Sequence, residues 1–383
     1  MDLDHLTYFR GRVALAAILR GLGVRAGDEV VLQAFTCIAV PEAILSLGAI
    51  PRYVDVAAGS PNMDADDLST KLGPLTRAVI VQHTFGLPAD VTRLADIVRE
   101  RGVPLIEDCA HTIASRVNGR EVGSFGSAAF YSFEASKPVF IGIGGSATSN
   151  DGALSEALNR DYRRYAEPPR LMQFQLEAMR MAHRVAYRPS TYWTVRAVFR
   201  AVVATGLIRG NYNKVADMND PGTAGSANDK ATPASPDFTR RMGALQARLL
   251  RGALSSLGEQ SAHRRWVGEQ YRARIDAGGV SHFPVATGVE PVYGRYPLVV
   301  EDRAALLHGA RGARVELADF YATPVHPLKG NELRQVGYEP GSCPRAEWLS
   351  ERIVSLPTGS QVNAKQIDRA VNFFNHYALA ARG

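Results

Sequence analysis

Three short runs hold the residues best suited to chemistry. The first is Ile106-Glu107-Asp108-Cys109-Ala110-His111, an apolar residue leading directly into two acids and then a histidine. The second is Tyr131-Ser132-Phe133-Glu134-Ala135-Ser136-Lys137, and the third is the glycine-rich Gly142-Ile143-Gly144-Gly145. A lysine amine can condense with a carbonyl, and a carboxylate can keep a ring nitrogen protonated so that the ring draws off electrons. These are the two groups that a pyridoxal-phosphate site needs from a chain. An Asp at a strand end, with a Lys about one strand and one loop later, meets that need. On spacing alone the plainer reading is stronger: a solvated loop acid and a surface lysine.

The elements that would position these residues follow from hydrophobic periodicity. Val13 to Leu22 reads as an Ala- and Leu-rich helix stopped by Gly23, and Val30-Val31-Leu32 as a short buried strand. Cys37 to Leu47 is predicted helical, Pro51 to Val56 and Ala78 to Val81 are predicted strands, and Val91 to Gly102 contains a helix. Pro104-Leu105-Ile106 runs as a strand into Glu107-Asp108, and Ala128 to Phe133 is another. This alternation predicts an α/β fold, a three-layer α/β/α large domain with a mostly parallel sheet. In such sheets chemistry gathers beyond the carboxyl ends of the strands, where Asp108 and Lys137 both fall. Further on, Met242 to Leu257, Ala346 to Val354 and Ala364 to Ala378 read as helices, and Tyr296 to Val300 as a strand. That part is expected to form a smaller C-terminal α+β domain, dividing the chain into 1–240 and 241–383.

With 383 residues, 46% hydrophobic and 21% charged, the chain has the balance of an ordinary globular protein and not of a disordered one. Three scattered cysteines, Cys37, Cys109 and Cys343, are too few for a disulfide framework or a zinc cluster, and no metal is expected. The start, Met1 to His5, lacks the pattern of a secretory signal, and no apolar stretch reaches the roughly 20 residues that span a bilayer. A cytoplasmic location is the expectation. The net charge of +6 is unevenly placed: residues 160–214 hold ten Arg and one Lys against three acids, a net +8. Within 152–238, Tyr162, Phe174, Tyr187, Tyr192, Trp193 and Phe199 interleave with those arginines, and Gly222 to Pro236 reads as an exposed loop. No nucleic-acid module accompanies the charge, so no nucleic-acid partner is expected. A basic, aromatic-bearing insert could meet a diphosphate, an acidic partner or an anionic lipid surface at the inner face of the membrane, or be a solvated helical pair.

Several segments fall into a familiar order: Gly27-Asp28-Glu29-Val30, Ala34-Phe35-Thr36, Gly48-Ala49-Ile50-Pro51, Val54-Asp55-Val56 and the run His83 to Asp90. After the three runs above come Asn150-Asp151, Tyr321 with Pro324-Val325-His326, Gly337 to Gly341, and Leu356-Pro357. Together they resemble the DegT/StrS-type sugar aminotransferases, a branch of the aspartate-aminotransferase-like, fold type I enzymes that use pyridoxal 5′-phosphate. The resemblance covers roughly residues 11–151 and 238–375.

The resemblance implies an enzyme that moves an amino group from glutamate or a similar donor to a keto-sugar, one expected to be nucleotide-linked. It makes Lys137 the Schiff-base lysine and proton carrier, and Asp108 the partner of the pyridine nitrogen. It puts His111 near the ring's phenolic oxygen, although a histidine satisfied by its own hydrogen bond is an equal reading. Ser132 would bind the phosphate with Gly11 and Arg12, where relatives often have Gly-Thr at a helix start. Cys37 stands where an aromatic ring usually covers the cofactor, and Thr239 where relatives carry Asn in a loop that reaches the partner subunit. Arg241 keeps that loop's Arg, which implies a homodimer, and Arg241, Tyr321 and His326 face the substrate. The N-terminal segment usual in the family is expected to be absent. Two other readings stay open: a sugar dehydratase, whose relatives commonly replace the lysine with His, and a non-catalytic regulatory or membrane-associated protein.

Overall fold

Runs of β-branched and small apolar residues form the central sheet of the computed structural model, which describes residues 6–134, 137–186 and 236–380. The strands of the first part are β1 (Leu6–Tyr8), β2 (Glu29–Gln33), β3 (Thr36–Cys37), β4 (Ile50–Val54) and β5 (Thr76–Gln82). They continue with β6 (Leu105–Asp108), β7 (Arg116–Val117), β8 (Arg120–Glu121), β9 (Ala128–Ser132) and β10 (Gly145–Ser149). Seven of these make one sheet in the order β1-β10-β9-β6-β5-β2-β4. From β9 to β4 the neighbours are parallel, and β10 and β1 add an antiparallel edge.

Alternation along each strand divides its side chains between two cores. Val30, Leu32, Ala78, Ile80 and Ile106 join one, and Val31, Val79, Val81 and Leu105 join the other. Both faces are therefore covered, as a parallel sheet requires. The first face packs on α1 (Gly11–Gly21) and α2 (Ala39–Leu45); the second packs on α3 (Ala65–Lys71) and α4 (Val91–Glu100). Asp64 and Asp90 cap α3 and α4 with their carboxylates, and Asp151 does the same for α5 (Gly152–Tyr162). Helix α6 (Arg170–Ala186) follows.

The C-terminal part contains α7 (Ala244–Leu254), α8 (Leu257–Arg274), β11 (Val280–His282), β12 (Val289–Glu290) and β13 (Arg295–Val300). It continues with α9 (Arg303–Gly312), β14 (Val325–His326), α10 (Glu332–Gln335), α11 (Pro344–Arg352), β15 (Ile353–Pro357) and α12 (Ala364–Ala380). Strands β11, β13 and β15 form an antiparallel sheet. Two short strands reach back to the first part: β12 pairs with β7, and β14 runs parallel to β3.

The structure corrects three of the predicted elements. The helix expected from Cys37 begins only at Ala39, because Thr36 and Cys37 are claimed by the ladder to β14. The helix expected over Met242 to Leu257 starts at Ala244 and stops at Leu254; a second helix begins at Leu257 after Ser255 and Ser256. Helix α11 ends at Arg352, since Ile353 and Val354 pair with β13, a role suited to β-branched residues. Tyr187, Tyr192, Trp193 and Phe199, with residues 222–235 of the predicted loop, lie outside the described residues.

Candidate active site

Asp108 is the last residue of β6, flanked by Gln82 at the end of β5 and by Phe130 in the middle of β9. Its carboxylate is buried and accepts a hydrogen bond from the Ala110 N–H at 2.9 Å. Burial pushes its pKa above the usual carboxylate value, against the pull of that N–H, Lys137 and His83. A carboxyl so placed favours a partner that carries the shared proton.

The preceding residue, Glu107, is a brace. Its Oε2 accepts from His83 Nε2 at 3.1 Å and from the Gly123 N–H; its Oε1 accepts from the Phe125 and Gly126 N–H groups. His83 Nδ1 accepts from the Ala89 N–H, which leaves the ring proton on Nε2, facing Glu107. Burial disfavours the Glu107 charge, yet the His83 ring and the backbone donors hold its pKa below the usual value. His83, Glu107 and Cys109 lie close enough to suggest a metal site, but the ring and carboxylate are already satisfied by protein partners. The cluster is structural.

One strand over, Ser132 ends β9 against Gly145, the first residue of β10. A Cβ on Gly11 would lie 3.0 Å from Ser132 Cβ and 3.3 Å from its Oγ, and one on Gly145 would lie 2.4 Å from Gly11 N. Glycine at both positions therefore lets the start of α1 close onto the Ser132 hydroxyl. No acid occupies the first turn of α1, so its positive end is not offset from within the helix. The Arg12 guanidinium turns away to pair with Glu42 of α2.

Lys137 is half-buried in the turn beyond β9, and its N–H donates to the Glu134 carbonyl at 3.2 Å. Its charge lies within electrostatic reach of Asp108, His111 and Cys37. His111 Nδ1 accepts the Phe85 N–H at 3.1 Å, and its Nε2 lies 3.0 Å from Tyr321 Oη. In the neutral ring the proton then sits on Nε2. Burial first, and Lys137 second, push the His111 pKa well below its usual value.

The imidazole stacks on Tyr321, with centroids 5.6 Å apart, and on Phe85 at 6.0 Å. Phe35 meets Tyr321 edge-on at 5.4 Å. Phe35 and Phe85, which the sequence does not mark as site residues, complete this aromatic wall. Both take left-handed backbone conformations, φ 64° and 59°. Such angles are uncommon for bulky residues and are concentrated where a site demands them. The pattern of residue types carries no sign of it.

The β3–β14 ladder pairs Cys37 with His326. His326 Nδ1 accepts the Ala322 N–H at 3.2 Å, while Nε2 is buried with no hydrogen-bond partner among the described residues. Tyr321 and His326 are thus brought to the cluster from the far end of the chain. Thr239 and Arg241 are not: they lie beside β1 and Ala166, and Arg241 pairs with Glu167 at 2.9 Å on the surface.

The sequence profile of the DegT/DnrJ/EryC1/StrS aminotransferase family matches residues 6–182 and 211–375. The chain belongs to this family. Among curated relatives, GDP-perosamine synthase of Vibrio cholerae is 37% identical over 148 residues, 39% of this chain and 40% of that protein. UDP-N-acetyl-3-dehydro-alpha-D-glucosamine 3-aminotransferase of Acidithiobacillus ferrooxidans is 26% identical over 361 residues, 94% of this chain and 80% of that protein. Of the solved structures, DesV of S. venezuelae aligns with a TM-score of 0.72 at 23% identity, covering 98% of this chain and 84% of that one. A sugar aminotransferase from Micromonospora echinospora aligns with a TM-score of 0.72 at 20% identity, covering 97% of this chain and 87% of that one. These structures establish the fold, α/β with a mostly parallel central sheet.

Pyridoxal 5′-phosphate is the cofactor of the DegT/DnrJ/EryC1/StrS family, and the residues present fit it. Buried Asp108 has the character needed to hold a ring nitrogen's proton. The close junction of Gly11, Ser132 and Gly145 offers a hydroxyl and a helix start to a phosphate.

Proposed function

We propose that the chain is a pyridoxal-phosphate aminotransferase that passes an amino group from glutamate or a similar donor to a keto-sugar carried on a nucleotide. The observation that carries this reading is the placement of buried Asp108 at the end of β6, beside β9, with Lys137 in the turn just beyond β9 and the Gly11–Ser132–Gly145 junction at its end. The cofactor, when bound, supplies the electron sink for the charge left as a proton leaves the amine's carbon.

Asp108 keeps the ring nitrogen protonated, while Ser132, with the start of α1 at Gly11 and Arg12, holds the phosphate. Lys137 would hold the cofactor, and its amine would carry the proton between carbon centres. His111 and Tyr321, bonded and stacked on each other, would flank the cofactor, and Cys37 is smaller than the aromatic residue that relatives carry there. The buried Nε2 of His326 is free to donate to a sugar oxygen. The names of the Vibrio and Acidithiobacillus relatives support a nucleotide-linked sugar.

The test is the absorbance spectrum of the protein with pyridoxal phosphate, before and after glutamate, beside Lys137→Ala. The visible band should need Lys137 and give way on adding the donor. A band that no donor changes would favour the dehydratase or regulatory reading, and a band independent of Lys137 would end the proposal.

The reading extends to a homodimer in which Thr239 and Arg241 serve the partner's site. Light scattering that finds an active, cofactor-loaded monomer would exclude it. It extends also to peripheral contact with an anionic membrane surface through residues 160–214. One observation favours this contact: Leu171, Phe174 and Met181, at helical spacing on α6, are all exposed in a segment of net charge +8. No described helix is long and apolar enough to cross a membrane. Sedimentation with phosphatidylserine vesicles should carry the protein down, and Phe174→Ser should weaken it.

A further inference from the structure

Arg264, on α8, is almost fully buried, and no carboxylate among the described residues pairs with it. Its Nη1 donates to the Gly294 carbonyl and Thr358 Oγ1, both at 2.9 Å, and to the Tyr293 carbonyl at 3.3 Å. Its Nη2 donates to the Pro138 carbonyl at 3.1 Å. Burial, with Arg295 nearby, pulls its pKa down to about 10, so it still carries charge at neutral pH. A buried cation without a counter-ion is costly unless hydrogen bonds satisfy its N–H groups.

Two of these acceptors adjoin the residues of the candidate site. Pro138 follows Lys137 directly and has no N–H, so its carbonyl is its one backbone hydrogen-bonding group. On the other side, the Lys137 N–H is tied to the Glu134 carbonyl. The lysine's backbone is therefore held from both directions. The same guanidinium fixes Gly294, whose N–H donates to the Phe85 carbonyl at 2.8 Å, and where a Cβ would lie 2.6 Å from the His111 carbonyl.

We infer that Arg264 is a positioning residue, which holds Lys137 and the His111–Phe85 pair in register through the carbonyls of Pro138 and Gly294. This rests on the reading of Lys137 as the cofactor's lysine. A planar fork can bridge two such directions at once, whereas an ammonium acts as a single point.

The test compares Arg264→Lys and Arg264→Met with Thr358→Val, which removes one Arg264 contact and leaves the bond to Pro138. Methionine keeps the volume and removes the buried charge, so it guards against failure to fold. With pyridoxal phosphate bound, both Arg264 variants should shift the pH midpoint of the visible band by half a unit or more. They should also slow its loss on adding glutamate by about tenfold, while Thr358→Val, at similar thermal stability, should change neither. An unmoved midpoint and rate in both Arg264 variants would overturn the inference, as would their failure to fold while Thr358→Val folds. Lys137→Ala separates the two levels: a visible band surviving in that variant sinks the underlying reading itself.

Discussion

The strand ends at Asp108 and the surface of α6 treat polar and apolar groups in opposite ways. At the strand ends charge is buried and satisfied: Glu107 is inaccessible, and four donors meet its two oxygens. On α6, Leu171 and Phe174 are 69% and 71% exposed, and the nearby Arg241–Glu167 pair lies in solvent. The first arrangement fixes atoms to the tolerance that proton transfer needs. The second leaves a surface whose purpose lies outside the described chain. The difference separates a buried, fully bonded polar cluster from an apolar face left in solvent.

Four measurements would break or sharpen that contrast. The largest effect should come from Asp108→Asn, which leaves the geometry but cannot hold the ring nitrogen's proton as an anion. A loss on the order of 100-fold or more in the donor half-reaction is expected, by stopped-flow absorbance. Little change would show that this acid is only structural.

Next is Glu107→Ala, which strands buried donors and should cost about 3–5 kcal/mol in urea unfolding. Because Glu107's folded pKa is depressed, its contribution should be present above the ordinary carboxylate pKa. It should be lost as pH falls through the folded value.

His326 supplies the third. Burial, then Arg303 and Lys329, lower its pKa from 6.5 to about 4. The unfolded chain therefore takes up the proton first. Stability should be complete above about 6.5 and fall by about 3 kcal/mol as pH drops to about 4. His326→Asn should flatten that slope in thermal melts across the window. The smallest effect is Arg241→Ala, expected within about 1 kcal/mol of the parent because exposed ion pairs contribute little. A larger loss would show that this surface is buried by a partner.

The sheet was readable from sequence because period-two alternation and Gly punctuation are local signals: β2, β5, β6 and β9 lie where periodicity predicts them. Asp108 and Lys137 could be singled out because both fall near strand ends, and the family resemblance turned that coincidence into an expectation. Breaks of one or two residues were harder, as at Ser255–Ser256, where no Gly or Pro marks the end of α7.

What only the tertiary structure decided is who meets whom across long separations. Nothing local to Cys37 announces a ladder to His326, and nothing local to Phe85 announces a ring stacked on His111. Arg264 looks like one more arginine on a polar helix until folding brings the Pro138, Gly294 and Thr358 acceptors to it. Sequence pattern specifies which face of an element seeks burial. Which carbonyl or ring waits there depends on the packing of elements tens to hundreds of residues apart, and that is settled only when the whole core closes.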